Sequence, residues 1–245
     1  MPLVDQHEVL TAFAERCATR RAAPAVGPVG VAVAPAPFAG ELWEVLDARR
    51  SLRSFDARQV AAAELSAVLA RALTTHHKQW PERPPTDLTV LLAAYRVTGL
   101  PAGWYTVGPD GGFSEVQGTP DLPDPAEPFD GAPAVLVVGG DLAGAVRRAD
   151  PAGHADLLVR AAMLAHGCWL TAIAAGFGGC LRGRAQGAST AALHAVRPGT
   201  RHLLSLTLGH PGPAPGRELA PGSAAPAGPG GAAEAGSGDG AEAAR

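Results

Sequence analysis

The sequence is short of lysine, aromatic residues and cysteine. Lys78 is the only lysine among 245 residues, so arginine carries nearly all of the positive charge, and aromatic residues make up 5% of the chain. The three cysteines, Cys17, Cys168 and Cys180, form an odd set without close spacing. This pattern indicates reduced thiols in a cytosol rather than a disulfide framework. Cys168 falls within an apolar helical pattern, so we predict that it packs in the core.

Long apolar runs and a strong net charge are also missing. Residues 1–5 do not begin a basic region followed by an apolar segment, so no signal peptide is expected. No uninterrupted apolar run approaches the ~20 residues that span a bilayer. The net charge of -3 gives no general attraction to nucleic acid or anionic lipid. We therefore expect a cytoplasmic protein that binds neither nucleic acid nor membranes.

The spacing of apolar residues predicts an α+β domain with a central mixed or antiparallel sheet flanked by helices. Helices are predicted over residues 5–18, about 40–49, 61–73, 153–175 and 189–196, strands over 88–97, 104–107, 113–116, 134–140 and 202–208, and loops over 74–85 and 118–131. The continuous apolar run of residues 134–140 is typical of a strand covered on both faces. Apolar residues surround most of the 153–175 helix, which predicts a long central helix buried on nearly all sides.

Composition divides the chain into three segments. Residues 1–40 combine the first helix with a connector rich in alanine and proline, in which Val29 to Val33 could form a short strand. Residues 41–217 hold the predicted domain. Residues 218–245 consist almost entirely of small residues, glycine and proline, which cannot bury enough surface to offset chain entropy, so we predict a disordered tail.

An arginine-rich segment follows the helix predicted near residues 40–49. It contains Arg49, Arg50, Ser51 and Arg53, whose guanidinium and hydroxyl donors suit a phosphate group. The alternative is a solvent-exposed helix end whose cations complement the helix dipole.

Other candidate chemistries have weaker support. His76 and His77 lack a third ligand at metal-binding spacing, so a solvated loop pair is the simpler interpretation. The glycines after residue 138 do not have the spacing of a dinucleotide-binding turn, and no phosphate-binding P-loop or nucleophile elbow occurs. A glycine-rich segment, residues 178–184, can bring backbone N–H groups close to a flat ligand, although glycines after a helix also commonly form its C-terminal cap.

Taken in chain order, these motifs resemble the nitroreductase superfamily of FMN-dependent oxidoreductases. The similarity lies in residues 46–55, 64–73, 132–138, 174–180 and 206–211 and covers about residues 41–217. Residues 95–105, with Val97-Thr98-Gly99-Leu100-Pro101-Ala102-Gly103, are similar to the branch that oxidises azolines in ribosomally made peptides.

This resemblance implies an FMN-binding homodimer that transfers hydride at flavin N5. Arg49, Ser51 and Arg53, with Arg50 alongside, match positions that bind the FMN phosphate and ribityl chain. The remaining matches are Arg182 and Gly183, in the segment that approaches flavin N5 and O4, and Arg217, in the place of a last phosphate-binding cation. Small-molecule or peptide substrates and biosynthetic partner enzymes are implied as well.

Two departures from the azoline-oxidising branch keep alternatives open. Residues 84–87 replace its usual loop before the central strand, and its Lys-Tyr pair for proton abstraction is missing, so no catalytic base can be named. The leading expectation is a dehydrogenase that tailors a peptide-derived natural product. The alternatives are NAD(P)H-dependent nitro or quinone reduction, and a flavin-free member of the family that serves as a dimeric scaffold or partner subunit.

Overall fold

The computed structural model describes residues 28–29, 42–82 and 87–212. In these ranges the helices are α1 (Leu42–Ala48), α2 (Ala62–Gln79), α3 (Ala126–Phe129), α4 (Leu142–Ala174) and α5 (Gly187–Val196). The strands are β1 (Pro28–Val29), β2 (Val60–Ala61), β3 (Leu88–Ala94), β4 (Val97–Thr98), β5 (Gly103–Val107), β6 (Phe113–Glu115), β7 (Ala134–Gly140), β8 (Gly178–Arg182) and β9 (Arg201–Gly209). The helix predicted over residues 5–18, the tail and Arg217 lie outside the described residues.

Seven of these strands form one sheet in the order β1-β6-β5-β3-β7-β9-β8, and every described pair in it is antiparallel. Strand β7 lies in the interior of the sheet between β3 and β9, with Leu136 opposite Leu92 of β3 and Leu206 of β9. All seven residues of β7 are buried. The predicted α+β class and the predicted strand covered on both faces are therefore confirmed.

The sheet separates two apolar clusters, because successive side chains of a strand point to opposite faces. Leu92, Leu136 and Val138 pack on the face that carries α2 and α4. On the other face, Leu91 and Val137 pack with a cluster that includes residues of α3 and α5. We call these the α4 face and the α5 face.

Helix α4 is longer and more exposed than the sequence predicts. It begins at Leu142 rather than near residue 153, and Asp141 caps it by accepting a hydrogen bond from the N–H of Gly144 at 2.9 Å. Its first turns are stabilised by a separate apolar cluster formed with Leu157. The prediction of burial on nearly all sides is wrong. A helix lying on a sheet presents its outer side to solvent, where Leu158, Val159 and Met163 are 41–50% exposed.

Two further boundaries differ from the prediction. Helix α2 continues to Gln79, so residues 74–79 are helical rather than part of a loop; the N–H of Trp80 closes the last turn on the carbonyl oxygens of His76 and His77. Helix α3 lies inside the loop predicted over residues 118–131. Both differences reflect tertiary packing that overrides weak local propensity.

Part of α4 also meets the length and composition of a membrane span. Residues Ala152–Ala174 form the one such helix in the described part of the chain. Core residues such as Leu157, Leu164 and Ala172 are fully or almost fully buried within the domain. Packing in the core accounts for the apolar residues on the inner side of this helix.

Candidate functional site

The arginine-rich segment is an extended strand-like stretch held at both ends. The N–H of Leu52 donates to the carbonyl oxygen of Gly179 at 2.9 Å, and Ser51 forms an isolated parallel bridge with the same glycine. At the other end, the N–H of Asp56 donates to the carbonyl oxygen of His210 at 3.0 Å. These backbone bonds fix residues 51–56 against strand β8 and the end of β9.

Gly178 of β8 allows this close approach, and Gly179 allows the close packing of β8 against β9. A Cβ atom on Gly178 would overlap the side chain of Leu52, and one on Gly179 would overlap the carbonyl oxygen of Thr207. The glycine-rich segment is therefore not a helix cap alone. It forms the edge strand β8. Because Gly178 has no side chain, the arginine-rich segment can pack closely against this strand.

The two segments meet at a cleft of about 300 Å³. Its lining combines three arginines with small, polar and apolar residues: Arg53, Pro128, Cys180, Leu181, Arg182, Gly183, Arg184 and Gln186. Among the described residues no carboxylate pairs with Arg53 or Arg184, so the cleft is cationic.

Arg182 is held in this cleft by Asp130, which accepts a hydrogen bond from its guanidinium group. Asp130 follows α3 with φ of 53°, the left-handed conformation that aspartate and asparagine tolerate better than most residues. The Nε atom of Arg182 is buried and has no hydrogen-bond partner within the described residues. A buried donor without a partner indicates a place for an acceptor from a ligand.

Residues 95–105 contact the end of α3 and the loop that follows it. Arg96 donates to the carbonyl oxygen of Gly131 at 2.8 Å, and the ring of Tyr95 contacts that of Phe129 with centroids 6.4 Å apart. Both contacts brace the loop that carries Asp130. Gly99, with φ of 91°, makes the turn after β4.

The predicted site residues thus fall in different places. Arg53, Arg182 and Gly183 line one cleft, whereas the guanidinium of Arg49 lies over the ring of Trp169 at 5.2 Å from its centroid. Arg50 and Ser51 are solvent-exposed, and neither lines the cleft. Arg217 lies outside the described residues.

Sequence reasoning missed several residues of the cleft. Arg184 follows Arg182 at the two-residue spacing that places side chains of an extended segment on one side, which could have identified it. Asp130 had no comparable signal, because it lies 52 residues before Arg182 in a loop.

The described residues do not provide a metal centre. No group of three or more His, Cys, Asp or Glu in these ranges could hold a metal ion. Burial raises the pKa of the Cys168 thiol to about 12, so this thiol stays protonated in the core, as predicted for a packing residue.

The fold and the cleft define a class of α+β protein in which a long helix packs on one face of an antiparallel sheet and a cationic cleft lies at its β8 edge. The model of the nitroreductase family matches residues 46–210. The chain belongs to the nitroreductase family.

Solved structures agree with this fold. A protein described as a nitroreductase from Anabaena variabilis ATCC 29413 superposes with a TM-score of 0.61 at 19% identity; the match covers 76% of this chain and 42% of that one. A second such protein, from Ralstonia eutropha JMP134, gives a TM-score of 0.56 at 22% identity. That match covers 78% of this chain and 94% of the Ralstonia protein. The chain therefore spans less than half of the Anabaena protein. No curated protein matches it.

Proposed function

We propose that the chain binds FMN in the cationic cleft and acts as an FMN-dependent oxidoreductase. The observation that carries this proposal is the convergence of Arg53, Arg182, Gly183 and Arg184 from two separate segments on one cleft. Membership of the nitroreductase family supports it.

The residues present fit this cofactor. Guanidinium groups match the oxygens of a dianionic phosphate, and Arg53 and Arg184 have no described carboxylate that competes for them. The Nε of Arg182 is a buried donor without a described partner. Nothing lies within 4 Å of a Cβ built on Gly183, so a flat ring could approach the backbone there.

Each residue then has a separate task. When bound, FMN would supply hydride transfer, which protein side chains cannot perform. Arg53 and Arg184 would hold its anionic end, while Asp130 keeps Arg182 in a fixed orientation beside Gly183. A positioned donor at this place would tune the chemistry of the bound ring without itself accepting a proton.

The proposal includes a homodimer in the cytoplasm. The cleft of about 300 Å³ is at the lower limit of ordinary ligand pockets, ~300–1,000 Å³, so one subunit offers little room for the whole cofactor. A second subunit would complete the enclosure. The partly exposed apolar residues of α4 provide a surface for it.

For the direction of the reaction, we propose dehydrogenation of a peptide-derived natural product. Support comes from the sequence of residues 95–105, whose contacts brace the Asp130 loop behind the cleft. NAD(P)H-dependent reduction of nitro or quinone compounds and a flavin-free scaffold are the alternatives. Rapid bleaching of bound flavin by NAD(P)H would favour the reductase, whereas inertness to NAD(P)H with reoxidation by oxygen would favour the dehydrogenase.

Flavin binding is tested directly with Arg53→Ala. The purified protein should be yellow, and the substitution should weaken FMN binding by ~1.5–3 kcal/mol, the contribution of a hydrogen bond to a charged group. Titration by flavin fluorescence measures this. Arg58→Ala is the matched control, because Arg58 is exposed, pairs with Asp56 and does not line the cleft. Colourless protein that takes up no added FMN would rule out the enzymatic proposals.

A further inference from the structure

A second cavity lies among α2, β3, β5 and α4. Its volume is about 350 Å³. The walls are mostly apolar, with a few polar side chains among them: Leu73, His76, His77, Trp80, Leu88, Val90, Val107, Pro109, Arg160 and Leu164. Of these lining residues, only Leu73 lies in the family motifs described above.

The sheet separates the cavity from the cationic cleft. Val90 and Leu164 belong to the cluster of the α4 face, and Leu73 packs against the same cluster. In β8, Leu181 also packs on that cluster, so the alternation of the strand directs Cys180 and Arg182 toward the other face. A molecule in this cavity would not compete with one in the cleft.

Two polar side chains at the cavity have unmet hydrogen-bonding capacity. Both ring nitrogens of His76 and the Nε1 of Trp80 are buried, and none has a partner among the described residues. Burial lowers the pKa of His76, and the nearby Arg160 and His77 lower it further. Its ring is therefore neutral at pH 7 and offers one donor and one acceptor, while the indole offers a donor.

The single cation of the wall is already neutralised. Arg160 is 3% exposed and donates to Asp87 at 3.0 Å, with Asp156 at 3.8 Å. Asp87 also pairs with Arg148. An anionic ligand would meet these carboxylates, and a cationic ligand would meet Arg160, so the cavity favours an uncharged molecule.

We propose that this cavity binds a small, uncharged, mostly apolar alcohol or phenol. The apolar walls provide contact area, and a hydroxyl group is both donor and acceptor. It can therefore satisfy a nitrogen of His76 or the N–H of Trp80, which otherwise stay unsatisfied at a cost in free energy. Pockets of this kind, apolar with a few converging polar groups, are typical of small-molecule sites.

The test compares 1-naphthol with naphthalene, which has the same ring system without the hydroxyl. With FMN present in saturating amount, calorimetric titration should show that the protein binds 1-naphthol about tenfold more tightly, the ratio expected for one hydrogen bond to a buried group. In the double variant His76→Phe, Trp80→Phe, which keeps aromatic rings but removes the nitrogens, the two affinities should become equal. Equal affinities in the unmodified protein, or no binding of either probe, would overturn the proposal.

Magnetisation transfer in NMR locates the probe. Saturation of the 1-naphthol protons should reach the methyl groups of Leu73, Val90 and Leu164. Transfer confined to residues of the cationic cleft, or to the surface of α4, would show that the probe binds elsewhere and would overturn the assignment of this cavity. Because the transfer distinguishes this cavity from the cleft, the result does not depend on whether the cleft binds flavin.

Discussion

At the scale of single residues, the pair Arg182–Asp130 combines two constraints in one aspartate. Asp130 supplies the carboxylate for Arg182 and adopts φ of 53°. We predict that Asp130→Asn, which tolerates this backbone conformation, lowers the free energy of unfolding by about 1 kcal/mol, because the pair is partly solvated. Asp130→Ala should lower the free energy of unfolding by about 1 kcal/mol more than Asp130→Asn does, since alanine disfavours the left-handed region. Urea unfolding measures both; equal losses would contradict the backbone argument.

Two histidines make stability depend on pH. Burial lowers the pKa of His76 and of His202 from the ordinary value of 6.5, so each takes up its proton more readily in the unfolded chain. Stability should therefore be complete above about pH 6.5 and decline as the pH falls from there through the lower pKa values of the folded protein.

The variant His76→Gln tests this dependence. Between pH 7 and pH 5.5 its melting temperature should fall less than that of the unmodified protein, because fewer groups take up protons on unfolding. The melting temperature of the double variant His76→Gln, His202→Gln should fall less still. Above pH 7.5 these histidines are neutral in both states, and the slopes should coincide. Identical acid sensitivity in all three proteins would contradict the burial of these rings.

At the scale of secondary-structure elements, two glycines in and after β8 have different roles. Gly179 is needed for the packing of the strand, whereas Gly183 lines the cleft. Gly179→Ala would press a methyl group against the Thr207 carbonyl oxygen, so we expect a loss of about 1–3 kcal/mol in the free energy of unfolding. Gly183→Ala meets no described atom and should leave stability nearly unchanged, while its methyl group in the cleft should weaken FMN binding. Thermal melting and flavin titration distinguish the two. A Gly179→Ala protein of unchanged stability would contradict the close packing of β8 against β9.

The sequence predicted the elements with strong local signals and missed those that depend on distant contacts. The apolar run of β7 and the period-two alternation of β9 located both strands nearly to the residue. The start of α4 was missed because packing of Val146 with Leu157, eleven positions later, stabilises its first turns. Arg53 was selected from the arginine-rich segment and Arg182 through the family resemblance, but their shared cleft with Arg184 depends on the docking of segments far apart in sequence.

At the scale of the whole molecule, the outer side of α4 is the feature that the domain leaves unexplained. Leu158, Val159 and Met163 of α4 are substantially exposed, as are Leu42 and Trp43 of α1, a helix that contacts α4. Apolar side chains grouped in this way commonly mark a protein–protein interface. We expect a second copy of the chain to cover them and to enclose the cationic cleft.

We therefore predict that light scattering gives the protein about twice the 24.8 kDa mass of one chain. The double variant Leu158→Asp, Val159→Asp should have the mass of a single chain. Both side chains are already partly exposed, so the monomer should keep its fold, whereas two carboxylates on each side would repel across the interface. FMN content should fall with the dimer if the second subunit completes the site. Gln117→Asp, which adds a carboxylate to an exposed loop, should leave mass and FMN content unchanged. A monomer that retains FMN in the absence of these substitutions would show that one cleft suffices.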